Sequence, residues 1–339
     1  MFTSIEVFAG AGGLALGLEQ SGFKHLGLIE KDRSAVKTLK TNRPNWKVLS
    51  QDVECLSSEN LEDFFSVKRG ELDLLSGGAP CQPFSYAGKR GGLEDTRGTL
   101  FYHYALFLQK LQPKMFLFEN VKGLKTHDNG KTYNIIKTTF EECGYTTQEQ
   151  ILNAVNYCVP QKRERLIIVG IRNDLINNIQ FKFPEPMILH PTVKDALCFC
   201  PESEGVEYSS KKKELFKLIP QGGNWRNLPE TLAKEYMKGT WNSGGGKTGI
   251  LYRLDMNKPS PTILTSPSQK TTERCHPLYE RPLTTRESAR IQTFPDEWEF
   301  KGNIMSQYKQ IGNAVPVKLA YYLGTEIAKS LIQFYSEKQ

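Results

Sequence analysis

The sequence contains no long hydrophobic run, no paired-cysteine framework and no leader-like start. No stretch approaches the roughly 18 continuous apolar residues that a membrane-spanning helix needs. The first residues, MFTSIEVFAGAGG, lack the basic start and apolar core of a signal peptide. Seven scattered cysteines, an odd number, favour reduced thiols over disulfide bonds. We therefore expect a soluble, cytoplasmic protein.

A strong excess of charge of one sign is also missing. Lys and Arg number 44 against 37 Asp and Glu, so the formal net charge is +7. This mild basic excess fits a polyanionic partner, but it is also common in proteins that bind no nucleic acid. With 39% hydrophobic and 24% charged residues over 339 positions, the composition predicts a globular chain with one large domain and a smaller one.

Short apolar runs alternate with helical patterns over the first half of the chain. The predicted strands are 5–8, 26–29, 47–49, 72–75, 115–118 and 166–171. The main predicted helices run through Gln20 and over 99–111, 131–143 and 317–334. This alternation predicts an α/β fold with a doubly wound parallel sheet, in which ligands bind beyond the carboxyl ends of the strands.

The regular alternation stops after about residue 180 and returns at Arg281. Residues 181–280 are rich in Pro, Gly, Lys and Ser, with short motifs such as GGNWRN and WNSGGGKTG. We therefore predict a catalytic domain built from 1–180 and 281–339, and a separate loop-rich domain formed by 181–280.

A glycine-rich segment, FAGAGG, follows the first predicted strand and opens a helix. Gly10, Gly12 and Gly13 would let the backbone approach a ligand closely. Glu30 could accept the hydroxyls of a ribose, and Asp52 could accept from an adenine amino group. A tight turn without a ligand is an alternative. The motif lacks the third glycine of a dinucleotide site, which favours S-adenosylmethionine over a nicotinamide cofactor.

Further motifs carry side chains that suit one reaction. Cys81 follows a predicted strand, and Glu119 ends the next one. In QKRER, alternation points Gln161, Arg163 and Arg165 to one face. A thiolate that adds to carbon 6 of cytosine makes carbon 5 nucleophilic toward a sulfonium methyl, while a carboxyl group at N3 and an arginine at the carbonyl oxygen take up charge. Each residue also has a simpler interpretation when it is considered alone. Cys81 could be a buried thiol, Glu119 a surface cap, and the two arginines a solvated strand end.

The ordered motifs resemble those of the cytosine carbon-5 DNA methyltransferases of bacterial restriction–modification systems. They are FAGAGG (8–13), Glu30, Asp52, GGAPCQPFS (77–85), RGTLF (97–101), ENV (119–121), QKRER (161–165), RPLTTRESARIQTFP (281–295) and QIGNAVP (310–316). The resemblance covers nearly the whole chain except 181–280. It implies a Rossmann-like fold, S-adenosylmethionine as cofactor, and methyl transfer to a cytosine flipped out of double-stranded DNA. One departure is Gln51, where many relatives have glycine before the acid.

The resemblance also implies roles for single residues. Cys81 would be the nucleophile, and Glu119 would contact N3 and the amino group of the base. Arg163 and Arg165 would assist catalysis. The residues expected to form the cofactor pocket are Phe8, Gly10, Gly12, Gly13, Glu30, Asp52, Pro80, Leu100 and Asn313. We further expect a monomer of bacterial or phage origin, with any cognate endonuclease acting as a separate protein.

Residues 181–280 are the predicted target-recognition domain, because an extruded base leaves a gap to fill and a sequence to read. Lysines such as Lys211, Lys212 and Lys213 could contact phosphates. Alternatively, the lysines form a solvated face and the tryptophans belong to a core. The candidate DNA-binding residues are Gln82, Ser85, Arg97, Trp225, Arg226, Trp241, Lys247, Gln269 and Arg274.

Three other functions are open at this point. A tRNA cytosine methyltransferase would carry the same motifs, but the Cys-Phe-Thr signature of that branch is not found here. A nicotinamide-dependent oxidoreductase would not need Cys81, Glu119 and the arginine pair together. A DNA-binding protein without enzymatic activity would not need this complete set of catalytic residue types either. The Cys-x-Cys at 198–200 and the Cys-His at 275–276 lack the spacing of a usual zinc site, so we expect no metal.

Overall fold

A mostly parallel sheet forms the centre of the protein. A computed structural model describes residues 1–79, 96, 99–241 and 248–337. The strands in these ranges are β1 (Phe2–Val7), β2 (Phe23–Glu30), β3 (Val48–Ser50), β4 (Leu74–Gly77), β5 (Met115–Val121), β6 (Tyr145–Asn153), β7 (Gln161–Lys162), β8 (Glu164–Arg172) and β9 (Ser260–Pro261). The order across the sheet is β3-β2-β1-β4-β5-β8-β6, and β7 pairs with β9 apart from it. The predicted α/β fold with a Rossmann-like sheet is confirmed.

The side of the sheet formed by β8 and β6 departs from the predicted parallel arrangement. β8 runs antiparallel to β5 and to β6, whereas the strands from β3 across to β5 pair in parallel. Only residues 154–163 separate β6 from β8, and so short a link cannot hold the crossover that parallel neighbours require. The sequence analysis missed β6 because residues 146–150 are all polar and give no apolar run.

Helices pack on both faces of the sheet. They are α1 (Gly13–Gln20), α2 (Arg33–Asn42), α3 (Val53–Ser58), α4 (Leu61–Phe65), α5 (Leu100–Leu111), α6 (Lys131–Glu142), α7 (Val193–Leu197), α8 (Ser210–Lys217), α9 (Glu230–Met237), α10 (Thr285–Ile291), α11 (Ile304–Asn313) and α12 (Val317–Ser336). Side-chain caps fix several starts: Asp32 accepts from the Ser34 amide, and Thr284 and Glu287 form a capping box. The three longest predicted helices are present as α5, α6 and α12.

Alternate residues of the central strands enter two different cores. In β5, Phe116 and Phe118 belong to a cluster with α5 and α6, whereas Met115 and Leu117 belong to one with α1 and α12. Both faces of the sheet are therefore covered, which explains why β5 begins with a continuous apolar run at residues 115–118. A third cluster joins α2, α10 and α11 to the segment that follows β1.

Residues 181–280 contain a small core of their own. It consists of Tyr208, Leu215, Phe216, Ile219, Leu228, Ala233, Met237, Ile250, Leu251 and Cys275. Helices α8 and α9 supply much of it, so this region is more helical than the sequence analysis expected. Val193 and Ile263 pack instead with the third cluster, beside α10 and α11. The separate core is thus confined to 208–275, and the wider domain boundary at 181–280 stays a prediction.

Candidate active site

A cleft of about 700 Å³ opens at the carboxyl ends of β1, β2, β4 and β5. Its walls come from the turn after β1, the tips of β2 and β5, the start of α5 and the end of α11. Because the parallel strands end at one edge of the sheet, residues far apart in sequence meet there. The volume lies in the range of small-molecule binding sites.

The glycine-rich turn after β1 borders this cleft. Phe8, Gly10 and Gly12 have φ angles of 61°, 55° and 85°, a region that suits glycine and strains a side chain such as that of Phe8. A Cβ atom at Gly10 would meet nothing within 4 Å, so this glycine faces open space. A Cβ at Gly13 would lie 2.2 Å from the Val315 oxygen. Gly13 is therefore required by close packing against the segment after α11.

Two acidic residues stand at the ends of neighbouring strands and line the cleft. Glu30 accepts from the amides of Gly10 and Asp32, each at 2.7 Å, which fixes its carboxylate beside the glycine-rich turn. Asp52 caps α3 by accepting from a backbone amide at 3.2 Å, and its Oδ2 lies 3.3 Å from Lys31 Nζ. Partial burial raises the pKa of Asp52, but the amide and Lys31 outweigh it and hold the pKa below its ordinary value.

The other predicted cofactor residues come from two helix ends. Leu100 is the first residue of α5, which begins after Thr99 caps it by accepting from a backbone amide. Asn313 is the last residue of α11, and both line the cleft. Gly12 does not line it, because a Cβ there would meet two buried side chains. Pro80 lies outside the described residues. The cleft thus brings together the other predicted cofactor residues that the structure describes.

A carboxylate–arginine pair lies at the tips of β5 and β8. Arg165 Nε is 2.7 Å from Glu119 Oε1, and the two side chains are 12% and 15% exposed. The strand register sets Glu119 opposite Ile167 and Arg165 opposite Val121, so the pair is a diagonal contact on one face of the sheet. Both residues line the cleft. The arginine therefore holds a carboxylate in position for a ligand.

Two residues to which the sequence analysis gave no role hold Glu119 against the segment after β4. A Cβ at Gly78 would lie 2.8 Å from both the backbone oxygen and the Oε2 of Glu119. Asn120, which is 7% exposed, donates through Nδ2 to the Ala79 oxygen at 2.9 Å. A signal was present, since GGAP and ENV place a glycine and an amide beside the predicted reactive residues. Cys81 itself lies outside the described residues.

Arg163 and Gln161 are buried. They are 1% and 0% exposed while their neighbours in the motif are exposed, which confirms the predicted alternation. Arg163 donates to the backbone oxygens of Ile263 at 3.2 Å and Gly312 at 2.9 Å. Burial, followed by the charge of Arg165, lowers the pKa of Arg163 to about 9. Its guanidinium is thus bound to backbone, and a direct contact with the substrate stays a prediction.

A buried carboxyl group at the cleft was missed by the sequence analysis. Glu6, in β1, is 1% exposed and lines the cleft. Among the described residues its Oε2 has no hydrogen-bond partner. Burial raises the pKa of Glu6 well above its ordinary value; the nearby Ser76 hydroxyl opposes this rise and the charge of Glu30 adds to it. An acid inside the apolar run predicted at 5–8 was the available signal.

The predicted base-stacking tryptophans pack beside the small core. Trp225 and Trp241 form an edge-to-face pair with ring centroids 5.6 Å apart, and both are partly buried against the core. The guanidinium of Arg226 lies 5.4 Å from the centroid of the Trp225 ring. This packing agrees with the alternative in which the tryptophans belong to a core. A contact of these residues with DNA stays a prediction.

The run of three lysines is engaged within the protein. Lys211, Lys212 and Lys213 form ion pairs with Glu235, Glu273 and Glu207, respectively. The Glu273 side chain is 0% exposed, so Lys212 neutralises a buried carboxylate. The Lys211 side chain remains exposed and that of Lys213 partly exposed, so their contact with phosphates stays a prediction, whereas Lys212 is bound to a buried carboxylate.

The remaining DNA-binding candidates differ in their exposure. Gln269 is exposed. Arg274 is partly buried and donates to the Glu273 oxygen at 3.0 Å, and burial lowers its pKa. Gln269 is therefore better placed than Arg274 to reach a partner. Gln82, Ser85, Arg97 and Lys247 lie outside the described residues.

The described ranges offer neither a metal cluster nor a membrane-spanning helix. In them, no group of three or more His, Cys, Asp or Glu side chains could hold a metal ion. His276 Nδ1 instead accepts from the backbone amides of Leu278 and Tyr279 at 3.0 and 3.2 Å. None of the helices seen in this part of the chain is both long and apolar enough to cross a bilayer.

Comparison with known proteins connects this cleft to one enzyme family. The sequence model of the C-5 cytosine-specific DNA methylases matches residues 2–329. The Type II methyltransferase M.Sau96I of Staphylococcus aureus is 52% identical over 335 residues, which cover 98% of this chain and 77% of that protein. The Type II methyltransferase M.Eco47II of Escherichia coli is 50% identical over 339 residues, which cover 98% of this chain and 80% of that protein.

Solved structures share the fold. A DNA modification methyltransferase encoded within an Escherichia coli prophage matches with a TM-score of 0.69 at 26% identity, over 98% of this chain and 100% of that one. A mutant of Spodoptera frugiperda DNMT2 matches with a TM-score of 0.60 at 19% identity, over 99% and 100%, which is a likeness of fold alone. The chain belongs to the C-5 cytosine-specific DNA methylase family and is a DNA (cytosine-5-)-methyltransferase.

Proposed function

We propose that S-adenosylmethionine is the methyl donor and binds in the cleft. Gly10 leaves the turn after β1 open to close approach, Glu30 offers a carboxylate to ribose hydroxyls, and Asp52 offers one to an adenine amino group. When bound, this cofactor supplies a methyl group activated by a sulfonium. The other residues of the proposed pocket are Phe8, Gly13, Leu100, Asn313 and, from the sequence, Pro80, whereas Gly12 shapes the turn from behind the cleft.

The observation that carries the proposed mechanism is the Glu119–Arg165 pair in the same cleft as the glycine-rich turn. The 2.7 Å contact orients a carboxyl group that can accept from the amino group of a cytosine and, when it carries a proton, donate that proton to N3. Gly78 packs against this carboxylate, and the chain reaches Cys81 three residues later. A base held by Glu119 would therefore lie close to the start of the segment that carries the proposed nucleophile.

We assign the thiolate of Cys81 as the nucleophile. Its addition forms a bond from sulfur to carbon 6, and the ring electrons move to carbon 5 while Glu119 stabilises N3. Carbon 5 would then take the methyl group as its bond to the sulfonium sulfur breaks, which would leave S-adenosylhomocysteine, and a base would remove the proton of carbon 5. Elimination breaks the sulfur–carbon bond and restores the thiolate. The cytosine must leave the stacked duplex for this reaction, since stacking hides carbon 6.

We also propose that the region around the small core reads the DNA sequence. The candidate contacts are Gln269, Trp225, Arg226, Trp241 and Arg274, together with Gln82, Ser85, Arg97 and Lys247 from the sequence. The relatives compared above are named Type II methyltransferases, which supports a restriction–modification role beside a separate endonuclease. We propose a monomer that acts in the bacterial cytoplasm, where its DNA substrate is found.

Binding and transfer assays test the cofactor and the carboxylate. S-adenosylhomocysteine should bind the free protein in calorimetry, and NAD should not. Glu119→Gln should lower methyl transfer to duplex DNA by about 100-fold or more, because the group that stabilises N3 is lost. Its affinity for S-adenosylhomocysteine should stay within about threefold of wild type. Equal transfer to tRNA and duplex DNA would contradict the proposed preference for duplex DNA.

Duplex DNA that contains 5-fluorocytosine tests the covalent step directly. Fluorine cannot leave as a cation, so elimination stops after methyl transfer and the protein stays attached to DNA. We expect an adduct that survives denaturants with the wild-type protein and none with Cys81→Ser. A wild-type protein that methylates ordinary cytosine but forms no adduct would contradict the proposed thiolate addition.

A further inference from the structure

One buried arginine joins the segment after β9 to the end of α11. Arg163 donates through Nη1 to the Ile263 oxygen at 3.2 Å and through Nη2 to the Gly312 oxygen at 2.9 Å. Ile263 lies on the chain that runs from β9 to the exposed residues around Gln269. Gly312 directly precedes Asn313, which lines the cleft. A single guanidinium therefore spans the proposed recognition region and the proposed cofactor site.

Neighbouring contacts close the same junction. Gln161 accepts from the Ile263 amide through Oε1 at 2.8 Å and donates through Nε2 to Gln292 Oε1 at 2.8 Å. Gln292 is 0% exposed and donates to a carbonyl oxygen near the end of α11 at 2.7 Å. A Cβ at Gly312 would lie only 2.4 Å from the Leu264 carbonyl carbon. The two segments are thus in direct backbone contact and are held by a buried polar network.

A guanidinium suits this position for two physical reasons. Its planar fork reaches two acceptors at once, which the single ammonium of lysine does not. The last carbonyl groups of a helix lack partners within the helix and favour a positive charge, as at Gly312 in α11. Because Arg163 is 1% exposed, water cannot replace a hydrogen bond that breaks. A shift of the Ile263 segment or of the end of α11 therefore strains the hydrogen bond that Arg163 makes to the other segment.

We propose that Arg163 is a positioning residue that couples DNA binding in the recognition region to cofactor binding in the cleft. This inference rests on the proposed function. DNA that binds the exposed residues around Gln269 changes the preferred position of Ile263. Because Arg163 is hydrogen-bonded to both Ile263 and Gly312, this change also shifts the preferred position of Gly312 and Asn313. The effect is reciprocal, because DNA must raise cofactor affinity by the same factor by which the cofactor raises DNA affinity.

A pair of arginine-to-lysine variants tests the coupling. Arg163→Lys keeps the charge but loses the fork. Arg286→Lys is the matched control, since Arg286 also donates to two backbone oxygens, those of Pro295 at 3.0 Å and Trp298 at 2.8 Å, but does not line the cleft. Calorimetry measures the dissociation constant of S-adenosylhomocysteine with and without saturating duplex DNA. Wild type and Arg286→Lys should bind about fivefold or more tightly with DNA, and Arg163→Lys should show a ratio near one.

Two results would overturn the proposal while leaving the assignment of the cofactor intact. They are a coupling ratio in Arg163→Lys equal to that of wild type, and no coupling in wild type. Failure of S-adenosylhomocysteine to bind free wild-type protein would instead contradict the proposed cofactor. Should Arg163→Lys not fold, hydrogen exchange in wild type decides. Duplex DNA added without cofactor should slow exchange of the amides of residues 311–314, and unchanged rates would also overturn the coupling.

Discussion

Replacement of Gly78 by alanine should suppress methyl transfer while the fold is kept. The new Cβ would lie 2.8 Å from both the backbone oxygen and the Oε2 of Glu119, whereas ordinary contacts of a Cβ begin at 3.4 Å. The atoms must therefore move apart by about 0.6 Å. Glu119 cannot simply rotate away, because its backbone oxygen belongs to β5 and Arg165 holds its Oε1 at 2.7 Å.

The cost of this displacement falls more on catalysis than on stability. Overpacking by one methyl group costs about 1–3 kcal/mol, a part of the roughly 5–15 kcal/mol that holds a domain folded. A misplacement of about 1 Å at a reacting group can cost roughly 100-fold in rate. For a shift of Glu119 of about 0.6 Å we expect a loss of about 30- to 100-fold in the rate of methyl transfer. The melting temperature should fall by only a few degrees.

Gly123→Ala is the matched control for this substitution. Gly123 lies in the turn Lys122–Lys125 directly after β5, and a Cβ there would meet nothing within 4 Å. Single-turnover methyl transfer to duplex DNA should be measured for wild type and both variants, with S-adenosylhomocysteine affinity measured by calorimetry. A Gly78→Ala protein that transfers methyl groups within about threefold of wild type would refute the view that Gly78 sets the position of Glu119.

Three further substitutions test the packing at the cleft and the protonation states of two buried groups. Gly13→Ala should weaken S-adenosylhomocysteine binding and lower the free energy of unfolding, since the new Cβ would lie 2.2 Å from the Val315 oxygen; unchanged affinity would contradict a tight turn at the cofactor. Burial raises the pKa of Glu6 well above 4.5, so above that pH the unfolded chain releases a proton that the folded chain retains, and wild-type stability falls as pH rises. The free energy of unfolding of Glu6→Gln, measured with urea, should therefore rise relative to that of wild type between about pH 5 and 8. A difference between the two proteins that does not change with pH would show that the carboxyl is ionised in the fold. Burial lowers the pKa of His276 from 6.5 to about 4, so within this window the unfolded chain binds a proton that the folded chain does not, and stability should fall as pH drops. His276→Asn should flatten that slope, and an unchanged slope would exclude His276 as its source.

The sheet shows which elements can be predicted from a sequence. Strands β5 and β8 lie between two layers of helices, so their residues form apolar runs that need no knowledge of the fold. Strand β6 lies at an edge, and its residues 146–150 are all polar. Its pairing depends on β8, which comes later in the chain. The antiparallel direction of β8 likewise follows from the short link after β6 and not from the residues of β8 itself.

The same distinction applies to the site. Gly10 and Glu30 are recognisable because their requirements are local: an open turn after a strand, and an acid at the tip of the next strand. Lys212 pairs with Glu273, which lies 61 residues away in the sequence. The sequence near either residue contains no pattern that predicts this ion pair. A lysine bound to a buried carboxylate and one free for a phosphate look alike in sequence. Distant pairing therefore explains why the sequence did not show that Lys212 is bound to a buried carboxylate.

The motif QKRER, which covers β7 and the start of β8, contacts several parts of the enzyme. Alternation turns Gln161, Arg163 and Arg165 toward the protein, but each meets a different partner. Gln161 holds the Ile263 amide, Arg163 holds Ile263 together with the end of α11, and Arg165 holds the carboxylate of Glu119. The two arginines are not interchangeable: one is 1% exposed and binds only backbone oxygens, whereas the other pairs with a carboxylate at the cleft. In the proposed function, this motif therefore connects the recognition region, the cofactor site and the reacting base.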